Sequence, residues 1–393
     1  MAASMAVRFL VRRIQSPIYT ARREHRMKKK WASSLPSLSG PQLALQYCDS
    51  NYSVQFGEDW AALRLALLSE QKYGAMVNLF SRPEAVTADL SALHSEDFLM
   101  MEEESPGTDL TPADSAPHRD LTPADSAPHR DTVTALHAAA LSCYTFPRGD
   151  IQRFPSPRAD LSGLLGYYLM DAASLLPVLA LNVQPDHRVL DLCAAPGGKS
   201  LALLMQNCRF LAANDVSVSR TNRLRRVLQS YLPHHLRTEE RVRVTSWDGT
   251  EWEEHGSYDR VLVDVPCTTD RHSLIETDNN IFIRSRSKER QTLPALQTAL
   301  LLAGLHAVTP GGDVVYSTCS LSQLQNEFVV ERALEVAASE YGIHASVQEL
   351  RPFREIFRKT FNFHEKSRIG ELVLPHLTAN FGPIYFCLLR RER

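Results

Sequence analysis

The sequence predicts an α/β chain: a mostly parallel, doubly wound sheet closed by an antiparallel terminal strand, with a small helical N-terminal region before it. Three observations carry this. From Arg188 onward, apolar strand-like runs alternate with helical stretches, the signature of a right-handed parallel sheet covered on both faces. The first run, Val189-Leu190-Asp191-Leu192-Cys193, shows no polar alternation and enters Pro196-Gly197-Gly198 directly, as a strand buried on both sides does. The later runs end on polar or thiol residues, Asp215, Asp248, Asp264 with Cys267, and Cys319, at the carboxyl ends where such sheets collect ligands.

Taken in order, residues 1–30 hold nine Lys/Arg against the single acid Glu24, with Val7, Phe9, Leu10, Val11 and Ile14 interleaved among the arginines. An acid-poor amphipathic start of this kind reads as a mitochondrial transit peptide or basic segment. Arg22 to Trp31 is then a candidate phosphate-binding patch. Residues 31–101 have helical spacing and composition, as in Trp60 to Leu68, and predict a small helical region without recognisable chemistry. Residues 102–135 shift to Pro, Ser, Asp and Thr, and DLTPADSAPHR occurs twice in tandem, at 109–119 and 120–130. The four prolines of the two copies exclude a continuous helix there, and two short copies bury no core, so a disordered insertion is expected.

The remainder, 136–393, is expected to form the catalytic domain. Within 143–165, aromatics alternate with arginines, a surface suited to stacking bases or simply a connecting loop. Tyr167 to Leu181 is expected to be a helix packed on the sheet. Strands follow at RVLDLC, RFLAAND, RVRVTSWDG, RVLVDVPC and DVVYSTCS, with helices from about Lys199, over 217–232 and over about 290–307. The run Pro383 to Leu389 reads as the terminal strand, completed as an antiparallel hairpin by a strand around 345–350.

Composition bounds the function. The chain has 393 residues, 44% of them apolar, and a net charge of -2, so a polyanion must be met by local patches or by a partner. Its seven cysteines are scattered and never spaced C-x-x-C, which argues against a disulfide framework or a structural zinc. No apolar run reaches membrane-spanning length without a charge or proline.

Two adjacent glycines after a buried strand let the backbone approach a ligand at a helix N-terminus. A P-loop needs glycine where Cys193 stands, and a dinucleotide fold needs G-x-G-x-x-G, which is absent. There remain an ordinary turn and the S-adenosylmethionine (SAM) turn of a Rossmann-like class I methyltransferase. Asp215 suits ribose hydroxyls, Asp248 suits adenine, and Asp264 lies nearest the methyl-transfer point. One aspartate at a strand end is usually a cap; three in register beside the glycine turn favour SAM. Free cysteines are most often core residues, yet Cys267 and Cys319 fall at strand ends that open on this pocket, where thiols become candidate nucleophiles. A substrate that needs a thiolate is a pyrimidine, whose carbon 5 becomes nucleophilic only after sulfur adds to carbon 6.

DLCAAPGGK, LAAND, DVPC and STCSL, in this order, closely resemble the Nol/Nop/Sun family of RNA cytosine-5 methyltransferases over about 143–393. YSVQFG, LLSEQKYGA and PCTTDRHS resemble its mitochondrial ribosomal-RNA branch, extending the similarity to about residue 27. The resemblance implies that Cys319 attacks carbon 6 and that Cys267 assists product release. It implies SAM contacts from Cys193, Ala194, Pro196, Gly197, Gly198, Lys199, Asp215, Arg220, Asp248, Gly249 and Asp264, with Lys199 and Asp264 also helping proton transfer. It implies 5-methylcytidine formation in mitochondrial small-subunit rRNA, a role in ribosome assembly in the matrix, and a heterodimer with a helical-repeat partner of the mitochondrial transcription-termination-factor type. From the residues themselves, Lys199 near Cys319 is expected to lower its thiol pKa. The loop residues Arg271, His272, Arg284, Arg286, Lys288 and Arg290 are candidate RNA contacts. Thr268 to His272 departs from the Ser-Gly common after Pro-Cys in the family, which leaves that loop's conformation open. The competing class is an assembly factor that uses the fold mainly for docking.

Overall fold

The computed structural model describes residues 38–100 and 141–392, so the basic segment 1–30 and the whole insertion at 102–135, with its tandem repeat, lie outside the described residues. In chain order come helices Gly40–Phe56 and Trp60–Leu68, strand β1 (Gly74–Val77), helix Pro83–Ala92, and strands β2 (Glu96–Asp97), β3 (Cys143–Thr145) and β4 (Tyr167–Met170). The first helix starts on a capping box, with Ser39 and Gln42 serving each other's backbone. It buries Ala44, Cys48, Tyr52 and Phe56, one residue every four, which is one stripe of a helix.

Tyr167 to Met170 corrects the expected helix. These four residues are strand β4, paired antiparallel with β1, Gly74 opposite Met170 and Val77 opposite Tyr167. Two tyrosines, Leu and Met suit a half-buried pleated surface, and a run this short cannot be typed by periodicity alone. Helix begins only after Asp171, whose carboxylate accepts from the Ala173 amide. The region before the insertion is also more than helical, because β1 and β2 join β3 and β4 in one four-stranded sheet of order β2-β3-β1-β4.

The large sheet is built from β5 (Arg188–Asp191), β6 (Phe210–Asn214), β7 (Val242–Thr245), β8 (Tyr258–Asp264), β9 (Val308–Thr318), β10 (Ala345–Val347), β11 (Glu371–Val373) and β12 (Ile384–Arg391). Its order is β10-β12-β9-β8-β5-β6-β7, with β11 also paired to β12. The strands β5 to β9 are mutually parallel, and β12 runs antiparallel to β9, β10 and β11. The expected antiparallel strand is present at Ala345–Val347, although the helix Arg351–Phe357 and β11 lie between it and β12, so the sequential antiparallel pair is β11 with β12.

Successive residues of each central strand enter opposite cores. Val189, Leu211, Leu262 and Val315 face one apolar cluster; Leu190, Ala212, Val261, Val263 and Val314 face the other. That is why these strands read as unbroken apolar runs. The N-terminal helices supply Tyr52, Phe56, Trp60 and Leu67 to the second cluster. The described residues from Ser39 onward thus form one compact unit. The order reverses between β5 and β8, and the polar strand ends gather at that switch point.

Candidate active site

Strand β5 ends at Asp191, and the chain turns through Cys193, Ala194 and Pro196 into the helix Gly198–Met205. Gly197 sits at φ 118°, and a Cβ there would stand 2.7 Å from Leu224 Cδ1. A Cβ on Gly198 would stand 2.8 Å from Tyr168 Cε1. Both glycines are dictated by close approach. Asn214, unremarked in the sequence, ties three strand ends together. Its amide donates to Leu192 O and Trp247 O, both at 3.1 Å, and its oxygen accepts from Thr245 Oγ1 and Trp247 N.

The expected cofactor residues converge on this bend. Asp215 is buried; Oδ1 accepts from Ser217 N at 3.0 Å, while Oδ2 has no hydrogen bond and lies 3.2 Å from Arg220 Nη1. Arg220 Nη2 donates to Ala195 O at 2.6 Å, so it braces the bend and Asp215 together. Asp248 is exposed and caps the turn at Gly249 through the Thr250 amide. Gly249 is buried against Leu192 and Leu300. A cavity of about 140 Å³ opens between Tyr168, Ser174, Asp191, Cys193, Lys199 and Asp264, with Ala194, Pro196 and Gly198 also on its wall.

Asp191 is the residue that sequence reasoning passed over. It is 1% exposed, and Oδ2 accepts from Ser200 Oγ at 2.7 Å. Oδ1 has no partner. Burial raises its pKa to about 7, against the Ser200 hydrogen bond. The unpartnered Oδ1 of Asp191 and the Asp215 carboxylate, whose Oδ2 meets Arg220, with a backbone cradle that a Cβ on either glycine would fill, make an acceptor-rich lining. It fits a ligand bearing an ammonium and ribose hydroxyls, which SAM has.

On the substrate side, Lys199 Nζ donates to Asp264 Oδ2 at 2.8 Å, and Ser317 Oγ donates to Asp264 Oδ1 at 2.7 Å. Burial alone would lower the Lys199 pKa, yet Asp264, with a smaller contribution from Cys319, raises it overall. The ammonium is therefore charged at neutral pH. Cys319 follows β9 and Cys267 follows β8; their Sγ atoms are 3.2 Å apart. Cys319 opens on a larger cleft of about 800 Å³. Ser174 lines both this cleft and the smaller cavity.

The expected lowering of the Cys319 pKa by Lys199 is corrected. The thiol is raised well above the ordinary value, first by its hydrogen bond with Cys267, then by burial and by the charges of Cys267 and Asp264; Lys199 pulls downward and is outweighed. At neutral pH Cys319 therefore rests as a protonated thiol.

The loop after Cys267, left open by the sequence, is pinned. Asp270 is buried and accepts from Tyr52 Oη at 2.7 Å and Leu321 N at 2.8 Å, and from Thr268 Oγ1. Thr268 Oγ1 also meets Ser320 Oγ. Gln325 accepts from the Thr268 amide and donates to its hydroxyl. One carboxylate and one amide thus fasten the Cys267 loop to the Cys319 loop.

Of the two sets of candidate RNA contacts, the structure uses some residues for the fold and leaves others exposed. Arg271 is 8% exposed and donates to Gly382 O, Ala66 O and Asn380 Oδ1, so it clamps the N-terminal helices to the C-terminal strand. Arg286 pairs with Glu289, and Arg290 lies over Phe282; Arg284, Lys288 and His272 remain exposed. In 143–165, Phe146 and Phe154 are buried and stacked on each other at 4.5 Å. Arg148 is spent on backbone carbonyls of 358–361 and Arg153 on Glu70.

Residues 178–363 match the family model described as 16S rRNA methyltransferase RsmB/F. The chain is 56% identical over 399 aligned residues to the 5-cytosine rRNA methyltransferase NSUN4 of Xenopus laevis, covering 98% of both chains. The chain belongs to this RNA cytosine-5 methyltransferase family. It is therefore a SAM-dependent enzyme. The chain is also 38% identical to the mitochondrial tRNA (cytosine(34)-C(5))-methyltransferase of Danio rerio, over 89% of this chain and 88% of that one. In fold it is similar to a methyltransferase homolog protein from Pyrococcus horikoshii, with a TM-score of 0.55 and 21% identity over 91% of this chain and all of that one.

Proposed function

We propose that this chain forms 5-methylcytidine in mitochondrial small-subunit rRNA through a covalent bond between Cys319 and carbon 6 of the target cytosine, and that it acts in ribosome assembly in the matrix. One observation carries the chemistry: two thiols 3.2 Å apart at neighbouring strand ends, beside a charged Lys199–Asp264 pair 2.8 Å apart. The rRNA substrate is supported by the NSUN4 relatives, and the mitochondrial location by the acid-poor start and the mitochondrial relative. A helical-repeat partner of the transcription-termination-factor type would compensate for the near-neutral charge.

Cys193, Ala194, Pro196, Gly197, Gly198 and Lys199 would hold SAM along the bend, with Asp215 and Arg220 at the ribose and Asp248 and Gly249 at the adenine. When bound, the cofactor supplies an electrophilic methyl group. Cys319 gives up its proton to Asp264, whose charge acts on it, and its sulfur adds to carbon 6, breaking the 5,6 double bond, with the proton passing on to nitrogen 3 and carbon 5 becoming nucleophilic. Lys199 and Asp264, on the wall of the smaller cavity, orient the ring and hold the proton that moves at nitrogen 3. Once carbon 5 is methylated, its proton leaves to a base and the carbon–sulfur bond breaks, restoring the double bond and the thiolate. Cys267, in contact with Cys319 Sγ, assists that release.

The test is an rRNA transcript incubated with SAM and each cysteine variant. Cys319→Ala should neither methylate nor form an adduct. Cys267→Ala should leave an RNA–protein adduct on a denaturing gel. An adduct from Cys319→Ala would reverse the two roles.

A further inference from the structure

We propose that the helix Val218–Tyr231 is an RNA-docking surface, on which Arg223, Arg226 and the neighbouring Arg158 bind successive phosphates of the strand that enters the catalytic cleft. This rests on the RNA methyltransferase reading and adds the surface that the reading lacks. In a chain of net charge -2, residues 216–238 contain five arginines, two histidines and no acid. The arginines proposed earlier as RNA contacts, Arg271, Arg286 and Arg290, are largely committed to the fold.

The helix buries Thr221, Leu224, Leu228 and Tyr231, which leaves Arg223 and Arg226 on its solvent face, both exposed. They are three residues apart, about 4.5 Å along the axis, and long guanidinium side chains span adjacent phosphates from such a spacing. Arg225 turns to the other flank and donates to Val244 O, and Arg220 is held by Asp215. Arg158 is exposed. Its carbonyl accepts from Gly166 N, and the adjacent Leu165 N donates to Ser230 O at the helix end, which ties the Arg158 segment to the helix. Among the described residues, Arg158, Arg223 and Arg226 have no carboxylate ion pair. The acids nearby are Asp160, taken up by Ser81 and Ser162, and Asp89, which acts on Tyr167 against Arg158.

The surface leads to the chemistry through Tyr168. Its ring packs on Gly198, and its hydroxyl feels the charges of both Arg223 and Lys199. Lys199 in turn acts on Cys319. A solvated basic face would have no reason to run from the nucleophile's own lysine along an acid-free helix.

The test uses the full chain and a fluorescein-labelled hairpin RNA, titrated from low to moderate salt. The variant R158Q/R223Q/R226Q should lower the slope of log affinity against log salt by about two to three, roughly one for each phosphate no longer bound, with SAM affinity unchanged. R158K/R223K/R226K should restore the slope, which a merely structural role would not require. R284Q/K288Q should leave it as in the wild type. An unchanged slope in the first variant, or equal loss with R284Q/K288Q, would overturn the proposal while leaving the enzyme reading intact. A wild-type chain without salt-dependent RNA affinity would contradict that reading itself.

Discussion

Asp270→Ala should separate the two cysteine loops, because Asp270 is the acceptor they share. Its removal leaves Tyr52 Oη and Leu321 N without a partner, and both residues are fully buried. Each orphaned buried donor costs about 1–3 kcal/mol. Part is returned, because the buried carboxyl, whose pKa burial raises, no longer has to be desolvated. Thr268 loses less, keeping Ser320 Oγ as a neighbour. The net cost is about 3 kcal/mol, which lowers Tm by roughly 4 °C for a chain of this size. Asp270→Asn keeps one carbonyl acceptor and should recover about half. The functional effect should exceed the stability effect. At a temperature where both proteins are folded, Asp270→Ala should lose kcat with little change in SAM affinity, because the thiols and not the glycine bend have moved. Differential scanning calorimetry and SAM titration on the two variants check this. An Ala variant that melts within about 1 °C of the wild type and methylates normally would refute the idea that this carboxylate sets the thiol geometry.

Cys267→Ala removes the first cause of the raised Cys319 pKa, so the thiol must titrate at lower pH. Each unit of downward shift multiplies the thiolate fraction near neutrality about tenfold, and iodoacetamide labelling of Cys319 followed from pH 6 to 10 should show the profile moving left; a rightward move would contradict it. Gly198→Ala sets a methyl group 2.8 Å from Tyr168, an overpacking worth about 1–3 kcal/mol, and should weaken SAM binding by calorimetry, with Tyr168→Phe giving no relief because the clash is with the ring. Arg271→Ala opens the clamp on Gly382, Ala66 and Asn380 and should lower stability by about 3–5 kcal/mol, while the salt dependence of RNA binding stays unchanged.

The parts of the site that were legible in the sequence are those whose chemistry is local. Gly197-Gly198 after a buried run, aspartates at successive strand ends and thiols following β8 and β9 announce themselves within a few residues. What holds them is not local. Tyr52 reaches Asp270 across 218 positions, and Gln325 reaches Thr268 across 57, so no spacing rule reveals either. Asn214 reads as an ordinary strand residue beside a more conspicuous Asp215, although it ties β5, β6 and β7. Tyr167 to Met170 looks helical until β1, contributed from before the insertion, is known to pair with it. Arg271 and Phe154 misled in the same way: charge and aromaticity suggest nucleic acid, whereas tertiary packing uses both for the fold. Arg223 and Arg226 lie in a stretch read only as a charged helix, because which face they occupy depends on what Leu224 and Leu228 pack against.

The central claim is that the sulfur of Cys319 bonds carbon 6 of cytosine. Its most direct measurement is peptide mapping of the wild-type enzyme trapped on an rRNA transcript carrying 5-fluorocytidine, whose carbon 5 has no proton to release after methylation. The account predicts the nucleotide mass on the peptide containing Cys319. The same mass on the peptide containing Cys267, or no covalent species with SAM present, would contradict it.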